Sequence, residues 1–543
     1  MSTEKGPDTE QKNAAAPRVW AVSGRRLLQS TSVVSGMTLL SRILGLIRDM
    51  VLARYFATSI VMDAFLVANR IPNMLRRFFA EGAFSQGFVP VMASYRERHS
   101  HAEAREFVDA TAGTFAVVLF VVTLAGVLAA PILVAIVAPG FITGGGDFEL
   151  ATMMLRFTFP YLFFVSLTAF AGGILNTYGR FAATAFSPVL LNVALIAAVY
   201  WWAPRLEEPG MALAYAVFVA GILQLLLQLP FLMRIGALPR PRWQPAHEGV
   251  RRAMRLMLPA IFGSSVAQIN VLIGGIIASM LGVGKISLLY YSDRLMEFPL
   301  GLFGIALATV TLPYLARQFA NNAEDEFSAT IDWSMKLVFL IAVPAAIGLT
   351  MLAEPLVATI FYGGNFSYDD VRMTALALRA FSVGLIGFSF VKILAPAFFA
   401  RHDTKTPVRI GLIALAANFL ISVALVWYLT DRAYEGNHAG LALATSVAAM
   451  LNAWMLYRGL RKDNIVRHSK GWARLALQAL VANLVMIYAL DQLSRPLEWW
   501  TGTATSLDRA GWLGVSIVAA AGIYLLVLHA LGLRVANLGM RPH

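Results

Sequence analysis

Long apolar stretches, separated by short connections rich in polar residues, glycine or proline, run through almost the whole chain. A helix needs about 20 apolar residues to cross a bilayer. Fourteen segments approach or exceed this length, namely residues 32–56, 62–95, 107–137, 150–177, 183–203, 210–233, 255–282, 286–319, 331–361, 371–399, 407–429, 438–457, 472–490 and 512–533. Segments of this length favour helices over the shorter strands of a β-barrel. The predicted fold is therefore an all-α polytopic membrane protein with fourteen transmembrane helices.

The composition supports a bilayer environment and excludes several other classes of protein. The 543 residues are 58% hydrophobic and 14% charged, whereas soluble domains are about a quarter charged. The same apolar content excludes intrinsic disorder. The net charge of +13 is scattered between apolar stretches, so no nucleic-acid patch is predicted. Because the chain has no Cys, disulfides, iron–sulfur clusters and cysteine nucleophiles are also excluded.

The distribution of Lys and Arg predicts the orientation in the membrane. Most of those outside the predicted helices lie in loops on the same side as both termini, with clusters at 240–252 and 458–470. Loops rich in Lys and Arg remain cytoplasmic. We therefore expect both termini in the cytoplasm, and we expect no signal peptide because the first residues lack an apolar run.

Two parts of the chain resemble each other. PILVAIVAPGF at 131–141 is similar to PLVATIFYGGNF at 355–366, and Arg70 matches Arg294 at nearly the same separation. Parallel repeats are typical of transporters that bind substrate between two lobes near the bilayer midplane. We expect two pseudo-symmetric six-helix lobes with two extra C-terminal helices. The expected boundaries are a cytoplasmic tail at 1–29, an N-lobe at 30–235, a cytoplasmic linker at 236–254, a C-lobe at 255–460, helices 13 and 14 at 461–534, and a tail at 535–543.

The first two predicted helices are rich in arginine: Arg42, Arg48, Arg54, Arg70, Arg76 and Arg77. An arginine that faces lipid at the membrane centre costs ~2.5–3.5 kcal/mol, so we expect these side chains to face a hydrated cavity or each other. A planar guanidinium matches two phosphate or carboxylate oxygens at once and stays protonated. The pattern indicates a cavity for a phosphate-bearing anion, to which Arg294 adds a cation from the second lobe.

Further polar residues in these segments are secondary candidates for the same cavity: Ser41, Arg77, Glu81, Asp293, Glu297 and Lys392. Arg77 and Glu81, four residues apart, could bind substrate or only neutralise each other. Lys392 could line the cavity or contact the backbone before Pro396. No metal site, P-loop, catalytic triad or HExxH motif is visible, so we expect no catalytic residue, no metal and no cofactor. Coupling to the membrane potential or to a monovalent cation is left open.

Four stretches of sequence carry a family resemblance: SRILGLIRD at 41–49, DAFLVANRIPNMLRRFFAEGAFSQGFVPV at 63–91, YYSDRLMEFPLGLFG at 290–304 and KTPV at 405–408. They closely resemble the MurJ (MviN) family of lipid II flippases, and the similarity extends from about residue 30 to 533. The resemblance implies a transporter of the multidrug/oligosaccharidyl-lipid/polysaccharide exporter superfamily. Such a protein acts in peptidoglycan biosynthesis and moves the undecaprenyl-diphosphate-linked precursor from the inner to the outer leaflet of the bacterial cytoplasmic membrane.

The resemblance also implies the substrate-binding residues, which are Arg42, Arg48, Asp49, Asp63, Asn73, Arg76 and Arg294. In the family such residues line a central cavity that holds the diphosphate and sugar headgroup, and helices 13 and 14 form a groove for the lipid tail. The expected partners are lipid II and membrane lipids, with no nucleic acid. Protein partners among the cell-wall enzymes are left open.

Other functions remain as alternatives. A related exporter of another polyprenyl-linked glycan or of drugs would share the fold but would not need a diphosphate site. A membrane-embedded enzyme acting on polyprenyl diphosphates would need an acidic metal cluster or a nucleophile at one membrane face, and the sequence shows neither. A non-transporting scaffold for cell-wall enzymes would leave the buried arginines without a role.

Overall fold

Helices make up nearly all of the described chain, which in the computed structural model comprises residues 24–77, 82–301, 305–467 and 471–533. Within these ranges the extended contacts are limited to an isolated bridge between Gly363 and Phe366. The predicted all-α fold class is confirmed. The predicted C-terminal tail, most of the predicted N-terminal tail and Glu81 lie outside the described residues.

The α-helices are numbered in chain order. They are α1 Gly24–Phe56, α2 Ile60–Arg76, α3 Gly82–Arg98, α4 His101–Leu128, α5 Ala130–Val137, α6 Phe148–Thr158, α7 Tyr161–Thr177, α8 Phe181–Trp201, α9 Met211–Arg234, α10 Glu248–Ser279, α11 Lys285–Pro299, α12 Ile305–Ala320, α13 Glu324–Met351, α14 Ala353–Ile360, α15 Tyr368–Ala400, α16 Lys405–Asp431, α17 His438–Lys462, α18 Trp472–Leu493 and α19 Ser506–Ala530. Below, α1–α9 are called the first half and α10–α17 the second half.

Ten helical stretches of the described chain are long and apolar enough to cross a bilayer. The predicted membrane segments that fall short of this criterion correspond to α1, the α2–α3 pair, α10 and the α11–α12 pair, all of which carry charged residues. Three of these four segments contribute arginines to the cavity described below. A polytopic helical membrane protein is confirmed, whereas the number of fourteen crossings stays a prediction.

Two of the predicted membrane segments are broken in the same way. Segment 107–137 is divided at Ala129 into α4 and α5, and segment 331–361 is divided at Leu352 into α13 and α14. Pro131 and Pro355 follow within the first turn of the new helix. Proline has no N–H to donate, which costs nothing in the first turn of a helix but breaks a continuing one. The matching breaks lie where the two repeat sequences begin.

The two ends of the bundle are named after the helices that stop there. The end where α1 stops is called the Phe56 end, and the end where α3 stops is called the Arg98 end. At the Phe56 end the two halves touch through their backbones, because the N–H of Asn365 donates to the carbonyl of Arg54 at 2.8 Å. A Cβ on Gly364 would lie 2.2 Å from that carbonyl oxygen, so this close approach requires glycine. The Phe56 end is therefore closed.

The connection from α9 to α10 is fastened to the first half. The Asp109 carboxylate of α4 accepts a hydrogen bond from the backbone N–H of Arg240 at 2.7 Å, and the Asp109 carbonyl accepts one from the N–H of Arg242 at 3.0 Å. The backbone of Arg242 passes directly over Gly113, where a Cβ would lie 2.2 Å from its carbonyl oxygen. Since α10 starts at Glu248, only a few residues separate it from the anchored backbone of Arg242.

The C-terminal helices α18 and α19 pack on α13. Asp332, buried on α13, pairs with Lys336 at 2.9 Å and accepts a hydrogen bond from Trp472 Nε1 at 2.7 Å. The hydroxyl of Tyr524 donates to the carbonyl of Leu340 at 2.9 Å. These polar contacts attach α18 and α19 to α13.

Replacing Gly113 by alanine should dislodge the connection, because its Cβ would collide with backbone that cannot rotate away. Overpacking of this kind costs ~1–3 kcal/mol. The matched control is Gly348→Ala in α13, where a Cβ meets nothing within 4 Å and a gain of up to ~1 kcal/mol is expected. Thermal unfolding in detergent measures both variants, and equal midpoints would contradict the contact.

Candidate functional site

A cavity of about 800 Å³ lies between α1, α2, α7, α8 and α9 of the first half and α11 and α15 of the second. Its charged lining residues within the described chain are Arg42, Arg48, Arg76, Arg294 and Lys392, opposed by Asp49 and Glu297. Ser41 and Asn73 lie in the same lining. Positive charge exceeds negative charge, as expected for an anion-binding chamber.

The centre of the cavity holds a cluster built around Asp49. Its Oδ1 accepts hydrogen bonds from Arg48 Nε at 2.9 Å, from Arg48 Nη2 at 2.6 Å and from the Tyr290 hydroxyl at 2.8 Å. Its Oδ2 lies 3.2 Å from Arg294 Nε. A fifth contact joins Arg48 Nη1 to the Asn192 side-chain oxygen at 3.0 Å. One carboxylate therefore links an arginine of α1 to an arginine of α11.

This geometry changes the expected state of Arg48. The side chain was expected to face a hydrated cavity or another of the arginines; it lines the cavity but is buried, with 9% of its surface exposed, and paired with Asp49. Arg294 is more exposed and has a second carboxylate, Glu297, at 3.2 Å. Its guanidinium also lies 5.6 Å from the centre of the Tyr290 ring. Both arginines are anchored, and the Arg294 guanidinium is the more accessible of the two to solvent.

The remaining predicted cations lie around this cluster. Arg42 is exposed and, within the described chain, its guanidinium has no ion pair. It approaches the second half at Gly301, where a Cβ would lie 2.7 Å from Arg42 Nη1. Arg76 Nε donates to the Asn73 side-chain oxygen at 2.9 Å. Lys392 lines the cavity as well.

A smaller chamber of about 290 Å³ adjoins the cavity and shares Asn73, Arg294 and Glu297 with it. Asp293 and Arg77 line this chamber and not the main cavity. Arg77 is exposed and reaches the Gln268 side-chain oxygen only at 3.5 Å. Whether Arg77 also pairs with Glu81 lies outside the described residues.

Asp63 is the predicted site residue that the structure places elsewhere. It is fully buried near the Phe56 end and does not line the cavity. Its carboxylate accepts hydrogen bonds from the backbone N–H of Gly284 at 2.6 Å and of Ser287 at 2.9 Å, and from the Ser287 hydroxyl. These groups form the start of α11, whose N–H groups have no partners within the helix. Asp63 thus caps a helix of the other half, and here its role is to hold the Phe56 end closed.

The family follows from the sequence relatives. Residues 52–506 match the family model described as "Lipid II flippase MurJ". The chain is 43% identical over 525 residues to a "Probable lipid II flippase MurJ" of Vibrio cholerae, covering 95% of this chain and 98% of the relative. The chain belongs to the MurJ family. A "Lipid II flippase MurJ" of Burkholderia cenocepacia is 42% identical over 514 residues, with 94% and 98% covered.

Solved structures give the same answer for the fold. The chain is similar to a lipid II flippase MurJ in an inward closed conformation, with a TM-score of 0.73 and 22% identity over 91% of this chain and 97% of that one. It is also similar to an inward-facing MATE transporter of the MOP superfamily, with a TM-score of 0.61 and 16% identity over 80% and 98%. The resemblance seen in the sequence motifs is thereby confirmed.

The sequence motifs of the MurJ family did not reveal every residue of the cavity. Asn192 and Tyr290 bind Arg48 directly, and Gln224 and Gln228 of α9 lie in the lining. The available signal was polarity in an apolar setting, because a buried amide inside a membrane helix needs a polar partner. Tyr290 stood in the recognised YYSDR motif without being selected.

Replacing Asp49 by asparagine should destabilise the protein, because the guanidiniums of Arg48 and Arg294 would lose their shared counter-charge. Breaking a buried pair costs ~3–5 kcal/mol. The control is Asp325→Asn, which breaks a pair of exposed side chains with Arg467 and should cost at most ~1 kcal/mol. Unfolding midpoints in detergent compare the two. A loss at Asp49 no larger than that at Asp325 would refute the anchoring role.

Proposed function

We propose that this protein moves lipid II, the undecaprenyl-diphosphate-linked peptidoglycan precursor, from the inner to the outer leaflet of the bacterial cytoplasmic membrane. The observation that carries the proposal is the cationic cavity between the two halves of the chain, with its arginines anchored around Asp49. The full-length similarity to lipid II flippases supports the same substrate. The protein acts as a transporter and not as an enzyme.

The residue types in the cavity suit a diphosphate. Each arginine offers a planar set of N–H donors that can bind two phosphate oxygens together. Asp49 cancels part of the positive charge. The chamber therefore attracts a doubly negative headgroup but does not bind it too tightly for release. Arg42, Arg76 and Lys392 then bind the headgroup around the anchored pair.

The transport cycle alternates access from the two sides of the membrane. In this proposal the chain crosses the bilayer fourteen times, as two six-helix lobes plus α18 and α19, and both termini are cytoplasmic. The matching helix breaks at Ala129 and Leu352 support the repeat. The Phe56 end is the outer face, which is closed here because Asp63 of α2 caps α11. Opening it must break the Asp63 cap and the contact between Asn365 and Arg54.

The cluster around Asp49 couples the headgroup to this motion. Since Arg48 and Asp49 belong to α1 and Arg294 to α11, separating these helices takes the buried Asp49 away from Arg294 and leaves it only the more exposed Glu297. A bound diphosphate replaces that lost counter-charge. Substrate therefore lowers the free energy of the separated state more than that of the joined state, which is the requirement for a ligand to shift a conformational equilibrium. Coupling to the membrane potential or to a monovalent cation remains open.

Depletion of this protein in its host tests the function directly. We expect lipid-linked precursor to accumulate in the inner leaflet, measured by its accessibility to a reagent that reaches only the outer surface. Complementation with Arg48→Lys, which keeps the charge but loses the fork, should restore little transport. Normal outer exposure after depletion, with no substitute carrier present, would contradict the proposal.

A cross-link at the Phe56 end tests alternating access. Thr58 and Asp370 touch through their side chains across the two halves, and the chain contains no other thiols that would interfere. In the double variant Thr58→Cys and Asp370→Cys, a short reducible bifunctional thiol reagent should stop lipid II flipping in vesicles, and reduction should restore it. Each single variant, treated identically, is the control. Unimpaired flipping in the cross-linked protein would rule out opening at this end.

A further inference from the structure

One wall of the cavity is polar but uncharged. It is formed by residues of α7, α8 and α9. We call it the acceptor wall and define it as Asn176, Thr184, Gln224 and Gln228. Each of these four residues lines the cavity and carries a buried side-chain oxygen that no donor of the described chain reaches. Buried acceptors without donors are uncommon in folded proteins.

Ser187 fixes the direction of both glutamine amides. Gln224 Nε2 donates to the carbonyl of Ser187 at 3.0 Å, and a carbonyl can only accept. Gln228 Nε2 donates to the Ser187 hydroxyl at 3.1 Å, whose own hydrogen is directed to the carbonyl of Ala183 at 3.1 Å. Reversing Gln224 would bring two carbonyl oxygens together, and reversing Gln228 would require the Ser187 hydroxyl to give up its bond to Ala183. In the structure the carbonyl oxygens of both glutamines therefore point away from Ser187.

Two of the acceptors lie close together beside Gly172. A Cβ on Gly172 would lie 2.9 Å from Thr184 Cγ2, 3.1 Å from Thr184 Oγ1 and 3.6 Å from Gln228 Oε1, so a side chain here would crowd both residues. Gly172 is itself part of the cavity lining. A ligand group that binds next to Gly172 would therefore have two oxygens nearby. The wall is thus arranged for a group that donates hydrogen bonds.

The chemistry of the wall selects one part of the headgroup. An ionised diphosphate offers only acceptors, and the polyprenyl tail offers no polar group at all. Sugar hydroxyls and the acetamido N–H of amino sugars are donors. Resting on the proposed function, we propose that the acceptor wall is the sugar subsite, where the N-acetylated sugars next to the diphosphate donate to Thr184, Gln224 and Gln228.

This assignment orients the headgroup within the cavity. The diphosphate binds on the α1 and α11 side, where the donors and positive charges lie, and the sugars extend toward α7, α8 and α9. The opposite orientation would place phosphate oxygens against carbonyl oxygens and would leave the arginines facing hydroxyl groups. Complementary placement of donors and acceptors therefore adds selectivity for a glycosylated lipid to the affinity supplied by charge.

The test compares two ligands on purified full-length protein in nanodiscs: undecaprenyl diphosphate, which has no sugar, and lipid II. Gln228→Leu removes an acceptor at similar volume, and Gly172→Ala places a methyl group against Thr184 and displaces its side chain. Both variants should lose about tenfold or more in affinity for lipid II, equivalent to ~1.4 kcal/mol, and should keep wild-type affinity for undecaprenyl diphosphate. Arg42→Gln should weaken binding of both ligands.

The controls separate this inference from the proposed function. Gln478→Leu removes a buried glutamine of α18 that does not line the cavity and should leave both affinities unchanged. Retained binding of undecaprenyl diphosphate shows that a variant is folded. Equal losses for both ligands, or no loss for lipid II, would overturn the sugar subsite. Failure of the wild type to bind either ligand would instead overturn the proposed function.

Discussion

The structure depends on how arginines are kept inside a membrane protein. A guanidinium that faced lipid would cost several kcal/mol, and one paired in a dry core would be unable to bind anything else. The Asp49 cluster lies between these extremes. The carboxylate of Asp49 holds Arg48 and Arg294 in place through hydrogen bonds and an ion pair, and Glu297 gives Arg294 a second counter-charge. The excess of positive over negative charge among the described lining residues therefore comes from Arg42, Arg76 and Lys392, beside this anchored pair.

A second buried carboxylate links the cavity to the closed end. Asp63 accepts hydrogen bonds from the first N–H groups of α11, the helix that also carries Arg294. Asp49 holds that helix about two turns further along, through Tyr290 and Arg294. Both carboxylates come from the first half of the chain, and both hold α11. Movement of α11 relative to α1 and α2 would thus change contacts at the cavity and at the Phe56 end at the same time.

Much of the helical framework and of the cavity was accessible from sequence, for a physical reason. Length and apolarity dictate where helices form in a bilayer, and the predicted segments overlap the observed helices closely. Arginines at membrane depth indicate a cavity because no other environment accommodates them. The pairing of Arg48 with Asp49 was not predictable in this way, since neighbouring residues on a helix do not normally face each other. The capping role of Asp63 was not predictable either, because it depends on Ser287 of α11, which lies 224 residues further along the chain.

The neutral wall shows the limit of reading charge alone. Charged residues in a membrane helix stand out in a sequence, whereas Gln224 and Gln228 are single amides in an otherwise apolar helix and become informative only when Ser187 reveals which way they point. A cavity that carried charge everywhere would bind any phosphate. One that places positive charge at the arginines and acceptor oxygens at the glutamines favours one orientation of the headgroup, because an ionised diphosphate has no hydrogen to donate to those oxygens.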